Sequence, residues 1–285
     1  MGRNGFCALA AISAIGVLGL AGIASGAGLK TKSATVSITQ SEQVSVAAKC
    51  KRGQKAISGG FDASDFDPET NRPVVNFASR KKGARKWSAS AVEWGSGTRS
   101  VTAFAYCRKG GKVTKRKKTT TVPSLDDEQG TATLAVKCKR GQKVVSGGYA
   151  IRDFFVDEGD YTREGYAYSS RKTGGREWTV KALNYSEEDV ILDAFAYCRE
   201  SEGVKAESAE TSIDTDDAAA ATAECDAGQR VISGGFDNSD FDPDAGAQIV
   251  PLSSAKTGQG SWTAAGWNEG GDEGTFTAYA YCEKR

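Results

Sequence analysis

The 285-residue chain has no histidine, one methionine and only five prolines. The first absence removes whole classes of chemistry: Ser-His-Asp and Cys-His nucleophiles, imidazole acid–base catalysis and His-ligated metals. No two of the seven cysteines stand at CxxC spacing, so zinc is a poor fit as well. No stretch keeps a sustained helical apolar period. Among hydrolases, carboxylate pairs and Ser-Lys pairs stay open. With 34 glycines and 39% apolar residues, the composition is that of a turn-rich globular protein.

The N-terminus reads as a leader. Arg3 precedes an apolar run from Phe6 to Ile23, and Ser25-Gly26-Ala27 gives a small-residue exit. Residues 1–27 are expected to be a secretory signal peptide cut after Ala27, which leaves no stable membrane insertion. The alternative is a retained anchor, since a run of this length lies at the lower edge of what spans a bilayer. Cleavage removes Cys7 and leaves Cys50, Cys107, Cys138, Cys198, Cys225 and Cys282, an even set that predicts disulfides and a secreted, extracellular protein.

Self-similarity organises the rest. KCKRGQKAISGGF starts at Lys49, KCKRGQKVVSGGY at Lys137 and ECDAGQRVISGGF at Glu224. Each is followed by a Ser-x-Lys-x-Gly turn at Ser79, Ser170 or Ser254, then by Trp87, Trp178 or Trp262, and closes on FAYC or YAYC. The chain therefore divides into repeat units at 28–108, 115–200 and 206–285. Because the cysteines hold fixed frame positions, the simplest pairing is within units: Cys50–Cys107, Cys138–Cys198 and Cys225–Cys282. Closing loops of this size contributes up to ~4 kcal/mol each on the chain-entropy account.

Within a unit the apolar period is two, bounded by Gly, Asp and Asn turns. In the first unit strands are expected near 33–38, 43–50, 54–61, 73–80, 86–94 and 99–107. The closing strands carry alanine columns (Ala103, Ala105 and their equivalents), which leave room for the three tryptophan rings as core. The fold is all-β, either as three tandem disulfide-stapled β-sandwich-like units or as one pseudo-three-fold β-prism. Units that carry their own disulfide favour the first.

Two features carry candidate chemistry. SGGFDASDFDPE (58–69) and SGGFDNSDFDPD (233–244) repeat the acids Asp62, Asp65, Asp67, Glu69 and Asp237, Asp240, Asp242, Asp244. A short acidic loop, curled by the glycines before it and the proline after it, suits calcium. The middle copy, SGGYAIRDFFVD, places Ala150 and Phe155 where Asp62 and Asp67 stand, which favours Asx-turn chemistry, with Asp65, Asp153 and Asp240 bonding local amides beside a pinning Phe. Secondly, Trp94, Tyr185 and Trp267 stand on the strand face opposite the core tryptophans, where rings among polar residues can stack on sugars.

Charge is unevenly spread. Residues 1–107 hold 14 cations and 6 acids, residues 108–200 hold 18 and 14, and residues 201–285 hold 5 and 16. The hairpin Arg80, Lys81, Lys82, Arg85, Lys86 and the Lys115–Lys118 run could attract an anionic wall polymer or glycan, and the dipole could drive head-to-tail self-association. Nucleic acid does not fit an exported chain with an acidic third unit.

The frame of Cys-x-x-Gly-Gln, Ser-Gly-Gly, Trp-Thr (Trp-Ser in the first copy) and Phe/Tyr-Ala-Tyr-Cys resembles cysteine-paired repeats of secreted bacterial proteins, notably of actinobacteria. The resemblance spans nearly the whole mature chain and implies an extracellular β domain without a transferable activity. The expectation is a non-catalytic, envelope-associated or extracellular binding module with no cofactor beyond calcium. The rivals are a self-associating coat protein and a carboxylate-dependent hydrolase.

Overall fold

In the computed structural model the chain is described over residues 29–64, 73–94, 97–110, 113–125, 130–153, 165–200, 203–242 and 246–285, with the backbone alone at 155–157 and 160–163. The expected leader lies outside the described residues. Among them no helix is long and apolar enough to cross a membrane.

The first unit contributes β1 (Lys30–Thr39), β2 (Gln43–Lys49), β3 (Gln54–Asp62), β4 (Val74–Lys81), β5 (Lys86–Glu93) and β6 (Thr98–Lys109). Each matches an expected strand with ends displaced by a few residues. The second contributes β7 (Thr114–Val122), β8 (Thr131–Lys137), β9 (Lys143–Arg152), β10 (Phe155–Asp157), β11 (Asp160–Arg163), β12 (Gly165–Gly174), β13 (Glu177–Asn184) and β14 (Val190–Arg199). The third contributes β15 (Lys205–Ile213), β16 (Ala218–Glu224), β17 (Gln229–Asn238), β18 (Ile249–Lys256), β19 (Ser261–Asn268) and β20 (Gly274–Lys284). The fold is all-β, with three units and three within-unit disulfides at Cys50–Cys107, Cys138–Cys198 and Cys225–Cys282.

Of the two arrangements open from the sequence, strand order shows the shared one. The three six-stranded sheets run β1-β6-β3-β18-β19-β16, β2-β5-β4-β9-β14-β7 and β15-β20-β17-β12-β13-β8. Every sheet takes half its strands from one unit and half from another, and none closes into a barrel. Each unit is thus two half-sheets, and its disulfide joins them: Cys50 follows β2 in one sheet, whereas Cys107 lies in β6 of another. The opening strand–turn–strand of a unit is not a paired hairpin. β1 pairs with β6 and β2 with β5, because the turn at Ser41, which has φ 57°, sends the chain across a corner between sheets.

Three seams close the units into a ring, and each repeats the same contacts. The Ser146 hydroxyl donates to the Ile57 carbonyl at 2.7 Å, Ser58 donates to Ile232, and Ser233 to Val145. The Lys81, Lys172 and Lys256 amides donate to the hydroxyls of Tyr197, Tyr281 and Tyr106 at 2.7, 2.7 and 2.6 Å. Those tyrosines stand edge-on to Trp87, Trp178 and Trp262 of the neighbouring unit, with ring centres 5.4, 5.5 and 5.6 Å apart. The tryptophans are core, as the alternation required, and their indole N–H groups donate to Ser79, Ser170 and Ser254.

These contacts explain Ser-Gly-Gly. Gly59 lies within β3, so the pair does not curl the acidic loop. A Cβ at Gly59 would fall 2.1 Å from the Trp87 ring, and one at Gly60 would fall 2.2 Å from the Ser254 carbonyl of the third unit. Phe61, Tyr149 and Phe236 then meet at the axis, both Phe61 and Tyr149 edge-on to Phe236 at 6.2 Å.

Candidate functional site

The acids divide by what they touch. Asp62 accepts the Ser64 amide at 3.0 Å and the Ser64 hydroxyl at 2.5 Å, an Asx-turn of the expected kind. Asp237 is buried and pairs with Arg171 at 2.8 Å. Asp240 accepts the Thr275 amide at 3.2 Å, while Phe241 stacks on Tyr168 at 3.8 Å, so in the third unit the ring does pin the loop. Asp242 is exposed; Asp65, Asp67, Glu69 and Asp244 lie outside the described residues. Among the described residues no three His, Cys, Asp or Glu side chains group to hold a metal. In the middle copy a two-stranded hairpin, β10 with β11, occupies the corresponding segment.

The column of Asp62, Ala150 and Asp237 gains meaning from the strand it faces. Ser253 pairs with Asp62, Ser169 with Asp237 and Ala78 with Ala150, each two residues before a position held by Ala255, Arg171 and Arg80 respectively. Where both acid and arginine are present, they pair. Asp62, diagonal to Ala255, has no arginine there and folds back on Ser64. Arg80 stands diagonal to Ala150, meets no acid among the described residues, and lies over the Phe195 ring at 5.7 Å. Variation among the copies is therefore partly a matter of charge pairing across seams.

The aromatic residues proposed to stack on a ligand lie at the end of the axis that carries these loops. Trp94 and Tyr185 meet edge-on at 6.2 Å across two units, and Tyr185 donates to Glu269 of the third. Tyr166 stands 3.3 Å from the Tyr185 hydroxyl. Burial, with Glu269 close by, raises both tyrosine pKa values well above the ordinary range. Trp267 is 5% exposed within the same apolar cluster, alongside Val75, Val92, Leu183 and Val250. Rather than an outer platform, the three rings form part of a second core across the units.

The opposite end carries the cations. Lys115 Nζ, like Arg80, lies 5.7 Å from the centre of the Phe195 ring, so the basic hairpin and the basic run meet at one seam. Lys55, Lys81 and Lys115 line one cavity of about 270 Å³ beside Gly83, Ala84 and Val113. Burial, and then Lys55, pull the Lys81 pKa down to about 8. Lys117 is spent elsewhere, on the buried Asp193 at 2.8 Å, which also takes Arg152 and the Thr119 hydroxyl. Sequence reasoning found the hairpin and the run but missed Lys55. Its alignment with Lys143 and Arg230, at the start of the Ser-Gly-Gly strand, was the available signal.

A scan against protein-family models and a search of curated proteins return no match to this chain.

Proposed function

We propose that the protein is an exported, non-catalytic binding module that holds an anionic polymer of the cell envelope at the seam between its first and second units. One observation carries the reading: Lys55, Lys81 and Lys115, from three distant segments, converge on one cavity with no acid among its described lining residues. Arg80, diagonal to Ala150, adds a cation with no partner acid among the described residues. Three disulfides fit an oxidising compartment, where such polymers are found. Calcium in the outer acidic loops is a separate ligand proposal, and it is not needed for this one.

The test is retention on immobilised polyphosphate and polygalacturonate across a series of salt concentrations. Retention should fall as salt rises. The pair Lys81→Gln with Lys115→Gln should weaken it about tenfold or more, from roughly 1 kcal/mol for each cation brought to a polyanionic surface. Equal retention of wild type and double variant would sink the reading.

A further inference from the structure

The repeat presents one seam contact in three versions, and two of them show what the third is shaped to hold. In each sheet an aromatic residue of the closing strand pairs with a glycine: Phe104 with Gly60, Phe195 with Gly148 and Tyr279 with Gly235. Beyond the glycine, on a strand of the neighbouring unit, stand Ala255, Arg80 and Arg171. A Cβ placed on the glycine would lie 3.2, 3.3 and 3.2 Å from their respective Cα atoms. The backbone is therefore the same in all three, and the side chains alone differ.

Between the second and third units, Arg171 fills the space. Its guanidinium lies 5.4 Å from the centre of the Tyr279 ring, and its Nε stands 2.8 Å from Asp237 Oδ2. Between the first and second units, Arg80 lies over Phe195 in the same way, with Ala150 at the acid position. Between the third and first units the ring and the acid are both present, as Phe104 and Asp62. There Ala255 takes the place of the arginine.

Among the described residues no cation of this chain stacks on Phe104 or pairs with Asp62. Asp62 is half-buried, whereas Asp237 beside Arg171 is 3% exposed. Its Oδ1 accepts the Ser64 amide and hydroxyl, which leaves Oδ2 to take a further donor. The register partners around the pair, Ser33, Thr102 and Ser253, carry no charge to neutralise it. We propose that Phe104 and Asp62 form a binding site for the guanidinium of an arginine side chain presented by another polypeptide, held as Tyr279 and Asp237 hold Arg171. A planar guanidinium stacks on a ring while its N–H groups reach a carboxylate, which a compact ammonium does less well. The site lies at a different seam from Lys55, Lys81 and Lys115 and does not depend on the polymer reading.

The experiment is titration of the whole disulfide-bonded protein with N-acetylarginine amide at constant ionic strength, followed by NMR. Saturable shifts are expected at Asp62 and Phe104, while Asp237 and Tyr279, already served by Arg171, stay in place. Asp62→Asn should weaken binding about tenfold or more, as for a hydrogen bond to a charged group. Phe104→Leu should weaken it about two- to fivefold, the share of an exposed cation–ring contact. Because both variants also alter a seam, Ala255→Arg gives an independent arm. It supplies from within the chain the guanidinium that Arg171 supplies elsewhere, so it should abolish probe binding and raise the melting temperature, a gain lost on adding Asp62→Asn. N-acetyllysine amide, of equal charge, should bind more weakly than the arginine probe. Lys81→Gln with Lys115→Gln should leave arginine binding intact even where polymer retention falls. No saturable shift at Asp62 and Phe104, matching shifts at Asp237 and Tyr279, equal affinity for the lysine probe, or undiminished binding by Ala255→Arg would each overturn the proposal.

Discussion

At the scale of single residues, the molecule turns on positions that have no side chain to spare. Gly148 sits where a Cβ would fall 2.3 Å from the Ser79 carbonyl of the first unit. Gly148→Ala should therefore push a seam apart and lower stability by at least ~1–3 kcal/mol, read as a shift in denaturant midpoint. Ala150→Asp makes the opposite kind of change. It supplies Arg80 with the acid that Asp237 supplies to Arg171, so it should leave the melting temperature level or higher while weakening polymer retention. Lys81 sets a pH dependence. Its native pKa, about 8, is below that of an unfolded lysine, so the unfolded chain binds more protons between the two values. Stability should rise as pH climbs from about 8 toward the ordinary lysine range, while polyanion retention falls over the same interval as Lys81 loses its charge. Opposite trends in melting temperature and retention would check both signs.

At the scale of strands, much was readable. Period-two alternation located the strands, and fixed cysteine positions located the bridges, because both depend on near neighbours in the chain. The pairing of the opening strands was not readable. Two alternating segments across a polar turn look like a hairpin, yet β1 and β2 are edge strands of different sheets. Nor was the seam. Tyr197 alternates as a core residue would in any sandwich, and nothing in its own strand reveals that its hydroxyl accepts the Lys81 amide of another unit. The backbone ladder across each seam is short, two register pairs in each case. Side chains must complete the seam. Tyr197→Phe leaves the Lys81 N–H without its acceptor and should cost ~1–3 kcal/mol, with disulfide content unchanged. A loss well under that range in equilibrium denaturation would mean water replaces the hydroxyl. The Lys115–Lys118 run also has a structural duty, since β7 is a sheet edge and lysines there discourage edge-to-edge pairing.

At the scale of the whole molecule, the acidic third unit shares a sheet with each of the other two, so the charge imbalance runs around the axis rather than along a row. Shared sheets also couple the units thermodynamically. The oxidised protein should melt in one calorimetric transition, with van't Hoff and calorimetric enthalpies in agreement, where three independent sandwiches would give separable events. Reduction should lower the midpoint by releasing the half-sheets from one another. The ring has a further consequence in time. The Ser58 hydroxyl of the first unit finds its acceptor on Ile232, 174 positions later. A chain made from its N-terminus must carry that unfinished contact until the last unit arrives. Ring closure acts as a completeness check: a chain cut short after the second unit presents two open seams to proteases and to its own copies, and only a full-length product can hide them.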